Sequence, residues 1–435
     1  MKRYALDSLQ AWKNDPARKP LVLRGARQVG KTWLLQEFGR SHYEQVVYVN
    51  CQRDRFVASV FDGDLDPDRI IRGLEIAART TIDDPATTLV VIDEIQDVPL
   101  ALTSLKYFAE DRPDIHLAAA GSLLGVALRA NASFPVGKVN FLDLHPLDFD
   151  EFLRGTGEAQ LADLVLQQDW DLIHSFRDRL VELLRLYMFV GGMPEAVTRH
   201  AAGESLEAVR AVQLEILRGY ENDFAKYAIA TESRRIALVW ASMPTQLARE
   251  HKRFIFGRVR DGARGREFED AIQWLQDAGL VHRVMRYTKP ANPVRTYEDT
   301  HIFKLFLHDV GLLGALSGLD ASVLLRGAGI FEEFKGALTE QYVLQQIVAA
   351  RNETPMYWSP GGDAKAELDF AIERSTGLVP IEVKAEQNLR SKSLRSYIDR
   401  FQPAEALRFS LANYREQQDM INVPLYAIGP WLKSR

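Results

Sequence analysis

The chain has 435 residues, of which 46% are hydrophobic and 26% are charged, a balance typical of a globular protein that folds in water. Its 54 Lys and Arg residues against 59 Asp and Glu residues give a net charge of −5, which excludes attraction of the whole molecule to nucleic acid and leaves only a local basic surface. The single cysteine, Cys51, excludes an intrachain disulfide and a cysteine-cluster metal site, and no apolar run approaches the ~20 residues that span a bilayer, so we expect a cytoplasmic protein.

The first third of the chain alternates short β-rich runs with helical stretches. The runs are residues 20–23, 45–50, 88–92, 115–120 and 138–142. They are nearly continuous in Val, Ile, Leu and Ala, which favours a parallel sheet buried on both faces. We therefore predict an α/β core over residues 1–150.

The remaining residues change character twice, as a chain of this length with several domains would. Residues 151–227 have a helical pattern interrupted at 191–194, and residues 228–325 have short helices that end in a strand at 279–284. These features predict a helical lid followed by a winged-helix-like connector.

Residues 326–435 are predicted to form a separate α/β domain. A helix is expected at 331–350, strands at 355–358, 367–372 and 379–383, and a further helix with a final strand at 406–410.

A complete G-x-x-x-x-G-K-T phosphate-binding loop follows the first predicted strand and opens a helix. Its residues are Gly25, Ala26, Arg27, Gln28, Val29, Gly30, Lys31 and Thr32. The glycines allow backbone N–H groups to surround phosphate oxygens, and the start of the helix adds its dipole. We expect Lys31 to contact the β- and γ-phosphates of ATP and Thr32 to bind Mg²⁺.

The strand at 88–92 ends in two carboxylates, Asp93 and Glu94. Behind a phosphate-binding loop this pattern predicts that Asp93 orients Mg²⁺ and that Glu94 polarises the attacking water. The competing interpretation is a strand that ends in a solvated acidic turn. Ser122, which follows the strand at 115–120, is a candidate sensor of the γ-phosphate because ligands lie at this edge of a parallel sheet; an ordinary turn serine is the alternative.

A basic segment lies in the predicted connector, with only Glu250 and Asp261 as acidic residues. Its members are Arg249, Lys252, Arg253, Arg258, Arg260, Arg264 and Arg266. The pattern is typical of contact with the phosphate backbone of DNA, independent of base sequence. A solvated face or a contact with an acidic subunit surface explains it equally simply.

The last domain carries a D-x₁₂-E-x-K pattern on adjacent predicted strands, formed by Asp369, Glu382 and Lys384. This is the arrangement of the PD-(D/E)xK nuclease superfamily, in which the carboxylates hold Mg²⁺ and the lysine stabilises developing charge. Glu340, on the long preceding helix, is a candidate for a further metal ligand. A solvated pair of amphipathic strands remains the alternative.

Several segments together resemble prokaryotic AAA-type ATPases that carry a C-terminal DUF4143 region. They are GARQVGKT, LVVIDEIQ, AAAGSLLG, LDLHPLDFDEFL, YMFVGGMPEA, FKLFLHDVGL and the final AELDF…IEVK. The resemblance implies that Pro194 approaches the nucleotide from the lid. It also implies an arginine where this chain has Lys138, a substitution that keeps the charge and loses the bidentate fork; Arg129 is an alternative source of that charge.

The function predicted from the sequence is therefore a Mg²⁺-dependent ATPase whose nucleotide state controls a nuclease-like domain that acts on DNA. The alternative is a nucleotide-dependent switch or scaffold whose nuclease-like domain is inactive and binds a partner. Assembly into a homo-oligomer is left open.

Overall fold

The computed structural model describes residues 2–126, 137–248, 253–291, 293–321, 332–360, 366–385 and 392–434. These residues form two compact units. The first contains residues 2–145 and 277–279, and the second contains residues 146–276 and 280–435. Among the described helices, none is both long enough and apolar enough to cross a membrane.

The first unit is built on a five-stranded sheet in which all strand pairs are parallel. Its strands are β1 (Leu21–Arg24), β2 (Gln45–Asn50), β3 (Thr88–Asp93), β4 (His116–Ala120) and β5 (Asn140–Asp143), in the order β2-β3-β4-β1-β5. Every residue of β3 and β4 is buried, as the uninterrupted apolar runs predicted. The predicted parallel α/β core is confirmed.

Helices accompany this sheet, and five of them lie wholly within the described residues. They are α1 (Ala5–Asn14), α2 (Lys31–His42), α3 (Arg55–Val60), α4 (Pro67–Ala78) and α5 (Pro99–Asp111). The start of α4 shows how local sequence sets an element boundary, because the Asp66 side chain accepts a hydrogen bond from the Asp68 N–H and Pro67 occupies the first helical position.

The second unit begins with a helical region and continues into a mixed sheet with its own helices. The helices are α6 (Phe149–Gly155), α7 (Ala159–Gln167), α8 (Trp170–Ser175), α9 (Arg177–Val190), α10 (Pro194–Ala201), α11 (Leu206–Tyr227), α12 (Ala230–Leu247), α13 (Gly265–Asp277), α14 (Val310–Leu316), α15 (Glu332–Arg351), α16 (Lys392–Phe401) and α17 (Ile428–Lys433). The Asp148 and Glu151 side chains form a capping box at the start of α6.

Eight strands form the sheet of the second unit. They are β6 (Val281–Tyr287), β7 (Glu298–Leu307), β8 (Met356–Trp358), β9 (Leu368–Arg374), β10 (Gly377–Val383), β11 (Leu407–Ser410), β12 (Arg415–Glu416) and β13 (Ile421–Pro424), in the order β12-β13-β11-β10-β9-β8-β6-β7. The hairpin β6–β7, from the predicted connector, joins the C-terminal strands through the parallel pair β6–β8.

The sequence prediction of this sheet was incomplete at both ends. β7 was not predicted as a strand because its first half, Glu298 to His301, is polar and partly exposed. The strand at 406–410 was expected to close the domain, but β13 pairs with it and the exposed two-residue β12 pairs with β13. Elements this short carry too little hydrophobic periodicity to be recognised from sequence.

A buried hydrogen-bond network connects the helical region to α14 and α15. Asp309 is fully buried and accepts hydrogen bonds from Gly192 N at 2.6 Å, Leu312 N at 2.9 Å and Gln345 Nε2 at 3.0 Å. Burial raises the pKa of this carboxyl group, and the hydrogen bonds oppose the rise. Two segments that carry the family resemblance, residues 187–196 and 303–312, therefore meet at one polar centre.

Candidate functional site

The phosphate-binding loop connects β1 to α2 and requires glycine at both ends. Gly25 and Gly30 have φ angles of +146° and +95°, and Gln28, between them, has φ +68°. A Cβ atom on Gly25 would lie 2.3 Å from the Leu144 carbonyl oxygen, a distance that only a residue without a side chain can tolerate. The loop therefore has the backbone conformation that turns successive N–H groups toward an anion.

Lys31, at the start of α2, is only 6% exposed. Its Nζ donates hydrogen bonds to the carbonyl oxygens of Gly25 at 3.0 Å and Ala26 at 2.8 Å. Burial lowers the pKa of Lys31 to about 8, although the negative charges of Glu94 and Asp93 act in the opposite direction. An ammonium group whose charge is this poorly compensated gains stability from an added anion.

The next residue of the loop reaches the end of β3. Thr32 Oγ1 donates to Asp93 Oδ2 at 2.7 Å, and the Tyr48 hydroxyl donates to the same oxygen at 2.8 Å. The backbone N–H of Glu94 donates to Asp93 Oδ1 at 3.0 Å. The predicted pair of Thr32 and Asp93 is thus brought together. Tyr48 was missed, because its position depends on β2 lying next to β3.

Glu94 follows β3 in the left-handed conformation, with φ +50°. Its Oε2 accepts a hydrogen bond from Gln96 Nε2 at 2.7 Å, and its Oε1 accepts one from Ser122 Oγ at 3.3 Å. A Cβ atom on Gly121 would lie 2.3 Å from Gln96 Oε1, so glycine before Ser122 allows the close approach of the two segments. Gln96 is a further site residue; it lies in the LVVIDEIQ segment, where no separate signal marked it.

The oxygen atoms at this site fit Mg²⁺. Mg²⁺ prefers oxygen ligands in octahedral geometry and usually keeps phosphate and water oxygens among its ligands, so one hydroxyl and one carboxylate from the protein are sufficient. Thr32 Oγ1 and the Asp93 carboxylate supply these two groups on adjacent elements. In the residues that the structure describes, no group of three or more His, Cys, Asp or Glu side chains is arranged to hold a metal ion by itself.

The resemblance assigns roles at the nucleotide to Lys138 and Pro194, and the structure describes both residues within their own units. Lys138 Nζ lies 2.9 Å from Glu110 Oε1, and this ion pair lowers the pKa of Glu110. Arg129, the alternative to Lys138, lies outside the described residues. Pro194 is the first residue of α10. The roles expected of these residues toward the nucleotide stay predictions.

The basic segment is only partly covered, since Arg249 and Lys252 lie outside the described residues. Its other members are exposed: Arg253, Arg258, Arg260, Arg264 and Arg266. Arg260 pairs with Glu267 at 2.9 Å. The charge is therefore accessible on the surface of the second unit, as contact with a polyanion requires.

The three residues of the predicted nuclease motif lie at the ends of β9 and β10. Asp369 Oδ2 accepts a hydrogen bond from Val383 N at 2.7 Å. Lys384 Nζ lies 3.0 Å from Glu382 Oε1, and Glu382 is only 4% exposed. The structure thus brings Asp369 beside β10, which carries Glu382 and is followed directly by Lys384, as the spacing predicted.

A lysine that the sequence analysis did not identify lies in the same region. Lys304, on β7, is 1% exposed, and its Nζ lies 2.6 Å from Glu367 Oε1. Burial alone would lower the pKa of Lys304, but the charges of Glu367, Glu340 and Asp369 outweigh burial and raise it. We call the three carboxylates Glu340, Glu367 and Asp369 the acidic cluster.

Comparison with known proteins identifies three regions of the chain. Residues 17–153 match an AAA domain, residues 181–323 match a domain of unknown function (DUF8612), and residues 335–428 match a domain of unknown function (DUF4143). The chain therefore carries an AAA domain followed by a DUF4143 domain, as the resemblance predicted. The AAA domain supports ATP binding and ATPase activity.

Solved structures give weaker likenesses. The ORC1 protein of Aeropyrum pernix in complex with DNA is 16% identical, with 72% of this chain and 90% of that chain covered and a TM-score of 0.27. Cdc6p from Pyrobaculum aerophilum is 15% identical, with 74% and 93% covered and a TM-score of 0.27. Scores this low carry no inference about function. No curated protein matches the chain.

Proposed function

We propose that this chain, through its AAA domain, hydrolyses ATP in a Mg²⁺-dependent reaction and that the nucleotide state controls the second unit. The observation that carries the proposal is the convergence of Thr32, Asp93 and Glu94 within one hydrogen-bonded group at the end of β3. A phosphate-binding loop alone would bind ATP. A carboxylate held in place beside it adds a proton acceptor, which increases rate rather than ground-state affinity.

Each side chain of the site has a distinct role in the proposed reaction. Lys31 and the loop N–H groups hold the β- and γ-phosphate oxygens, and Thr32 and Asp93 would hold Mg²⁺, which neutralises phosphate charge when bound. Glu94 orients a water molecule and accepts its proton as the water oxygen attacks the γ-phosphorus. The bond between that phosphorus and the β–γ bridging oxygen breaks, which leaves ADP and phosphate. Ser122 holds Glu94 and senses the γ-phosphate.

The test is ATP hydrolysis by the Glu94→Gln variant. We expect kcat to fall by about 10²–10⁴-fold, the usual contribution of a general base, while the affinity for ATP stays within about threefold of wild type because the ligands of the phosphates remain. A matched control is Glu37→Gln, which removes a carboxylate that pairs with Arg40 on the surface of α2. Wild-type kcat in Glu94→Gln would remove the proposed role of Glu94.

Control of the second unit is a separate step of the proposal. Hydrogen exchange of residues 280–434 in Glu94→Gln, measured with and without ATP, tests it directly. We expect ATP to change the protection of amides in this range. Identical exchange in both states would leave an ATPase without the proposed control.

Cleavage of DNA by the second unit is a second candidate function. The observation that favours it is the position of Asp369 beside β10, which carries Glu382 and is followed directly by Lys384. The exposed arginines of the basic segment favour contact with DNA phosphates. The test is cleavage of single-stranded, duplex and branched DNA with Mg²⁺ or Mn²⁺, with and without ATP. Cleavage by wild type that disappears in Lys384→Ala would establish the nuclease.

A further inference from the structure

The acidic cluster already contains a positive charge supplied by the chain itself. Lys304 Nζ lies 2.6 Å from Glu367 Oε1 and 4.7 Å from the centre of the Tyr357 ring. A buried ammonium group without nearby negative charge would be strongly disfavoured. The cluster therefore stabilises Lys304, and Lys304 in turn balances part of the charge of the cluster.

The carboxylates that the nuclease pattern assigns to a metal ion are also engaged by donors of the chain. Asp369 Oδ2 accepts a hydrogen bond from Val383 N, and Glu382 Oε1 is paired with Lys384 Nζ. Glu382 Oε2 is buried without a hydrogen-bond partner in the described parts of the chain. No phosphate group is at hand here to complete the ligands of Mg²⁺ as ATP would at the nucleotide site, and the described residues contain no group of three or more His, Cys, Asp or Glu side chains arranged to hold the ion.

The position of Lys304 in the sheet is fixed by backbone pairing. Lys304 pairs with Val284 in the hairpin β6–β7 and forms an isolated bridge with Arg253. β6 in turn pairs with β8, and β8 pairs with β9, which begins directly after Glu367. The ammonium group is therefore held against the cluster by the sheet, and a divalent ion placed there would be repelled by a fixed like charge.

We propose that Lys304 is a built-in cation that takes the place of a divalent metal ion in the acidic cluster, so that the wild-type sheet binds no catalytic metal there. The residues present do not fit the Mg²⁺ site that the nuclease pattern implies. This proposal makes the second unit a charge-balanced binding module, and it is the alternative to the cleavage of DNA through Asp369 that was given above as the second candidate function.

The experiment measures Mn²⁺ binding by the full chain without nucleotide, using the electron paramagnetic resonance signal of free Mn²⁺. All proteins carry Asp93→Asn, which removes the carboxylate that would hold metal at the nucleotide site. We expect no Mn²⁺ bound at the cluster when Lys304 is present. Lys304→Met should bind one Mn²⁺ at least about tenfold more tightly than the protein that keeps Lys304. The carboxylates are not arranged as a metal site while they surround Lys304, but once released they can turn toward an added cation, and their oxygens are ligands that Mn²⁺ accepts. Adding Asp369→Asn should abolish that binding.

Two controls make the result specific. Lys384→Met removes a more exposed lysine from the same sheet and should create no Mn²⁺ site, since Lys304 remains. Should Lys304→Met fail to fold, the double variant Lys304→Met/Glu367→Gln removes both charges of the closest pair and keeps Asp369 and Glu340. It should bind Mn²⁺ more tightly than the protein that carries Asp93→Asn alone.

Two results would overturn the proposal. In the first, the protein that carries Asp93→Asn alone binds Mn²⁺ and loses this binding when Asp369→Asn is added. That result would show that a metal ion and Lys304 share the cluster. A folded Lys304→Met protein that binds no Mn²⁺ would show that the ammonium group does not stand at a metal position. Neither result bears on the proposed ATP hydrolysis, because every protein in this experiment carries Asp93→Asn and therefore lacks a proposed Mg²⁺ ligand of that reaction.

Discussion

Among the residues that the structure describes, each unit buries one lysine, and the two lysines are compensated in opposite ways. Lys31 has two backbone carbonyl oxygens as hydrogen-bond partners, and burial lowers its pKa to about 8 despite Glu94 and Asp93. Lys304 has a carboxylate at 2.6 Å, and the acidic cluster raises its pKa. Burial is nearly the same, at 6% and 1% exposure, so the difference lies in the surrounding charge.

This difference in surrounding charge makes Lys31 a binding site for an added anion and leaves Lys304 without such a site. A buried ammonium group short of negative charge attracts an anionic ligand, and a phosphate group can supply what Lys31 lacks. Three carboxylates around Lys304 leave no such deficit. The same residue type therefore prepares one unit to bind ATP and fills a cation position in the other.

The largest expected difference between the two lysines is in the free energy of unfolding of variants that lack one of them. Lys304→Met should lower the free energy of unfolding by about 3–5 kcal/mol, because breaking a buried pair leaves uncompensated charge behind. Lys31→Met should change it by less than about 1 kcal/mol, since the charged form of Lys31 is disfavoured in the fold. Denaturant unfolding of both variants without nucleotide measures this. Equal destabilisation would contradict the distinction.

The role of Lys31 can be predicted from the sequence and that of Lys304 cannot, for a physical reason. Lys31 lies in a contiguous loop whose glycines, strand and helix are all visible in the chain, and Thr32 and Asp93 follow from that motif. Lys304 becomes a partner of Glu367 only because β7 joins the C-terminal sheet. Nothing local marks this pairing, since β7 has a polar first half.

The same limit applies within the nucleotide site. The five strands of the first sheet were predicted to within two residues because most of their residues are apolar. Tyr48 and Gln96 were not assigned roles, because each acquires its role through contact with Asp93 or Glu94. Sequence spacing predicts the elements and the contiguous motif, while contacts between strands need the sheet order.

The next largest expected effect is the loss of ATP affinity in the Lys31→Met variant. Lys31→Met removes a charge-assisted contact with the phosphates, which is typically worth about 1.5–3 kcal/mol. We expect the Kd for Mg²⁺-ATP to rise by about 10–100-fold, measured by isothermal titration calorimetry. Lys304→Met, where it remains folded, should bind ATP as wild type does. Loss of ATP affinity in Lys304→Met alone would reverse the assignment of the two lysines.

The lowered pKa of Lys31 also predicts a pH dependence. ATP binds the protonated ammonium group, so above pH 8 the Kd for ATP should rise by up to about tenfold per pH unit. Without nucleotide, the free energy of unfolding should instead increase as the pH rises from about 8 to 10.5. The unfolded chain keeps this proton up to about pH 10.5, whereas the folded chain releases it near pH 8, so rising pH favours the folded state in this range. Lys31→Met should lack both effects. A wild-type Kd that is constant from pH 7 to 9.5 would contradict this prediction.

Each lysine site also contains one tyrosine, and the smallest predicted effects separate their roles. The Tyr48 hydroxyl donates to Asp93 Oδ2 at 2.8 Å, whereas Tyr357 presents its ring to Lys304 Nζ. Tyr48→Phe removes a hydrogen bond worth about 0.5–1.5 kcal/mol and should raise the Mg²⁺ concentration that gives half-maximal ATP hydrolysis by about threefold. Tyr357→Phe keeps the ring face that attracts the ammonium group and should leave that concentration unchanged. A Mg²⁺ requirement that shifts equally in both variants would mean that Tyr48 does not act through Asp93.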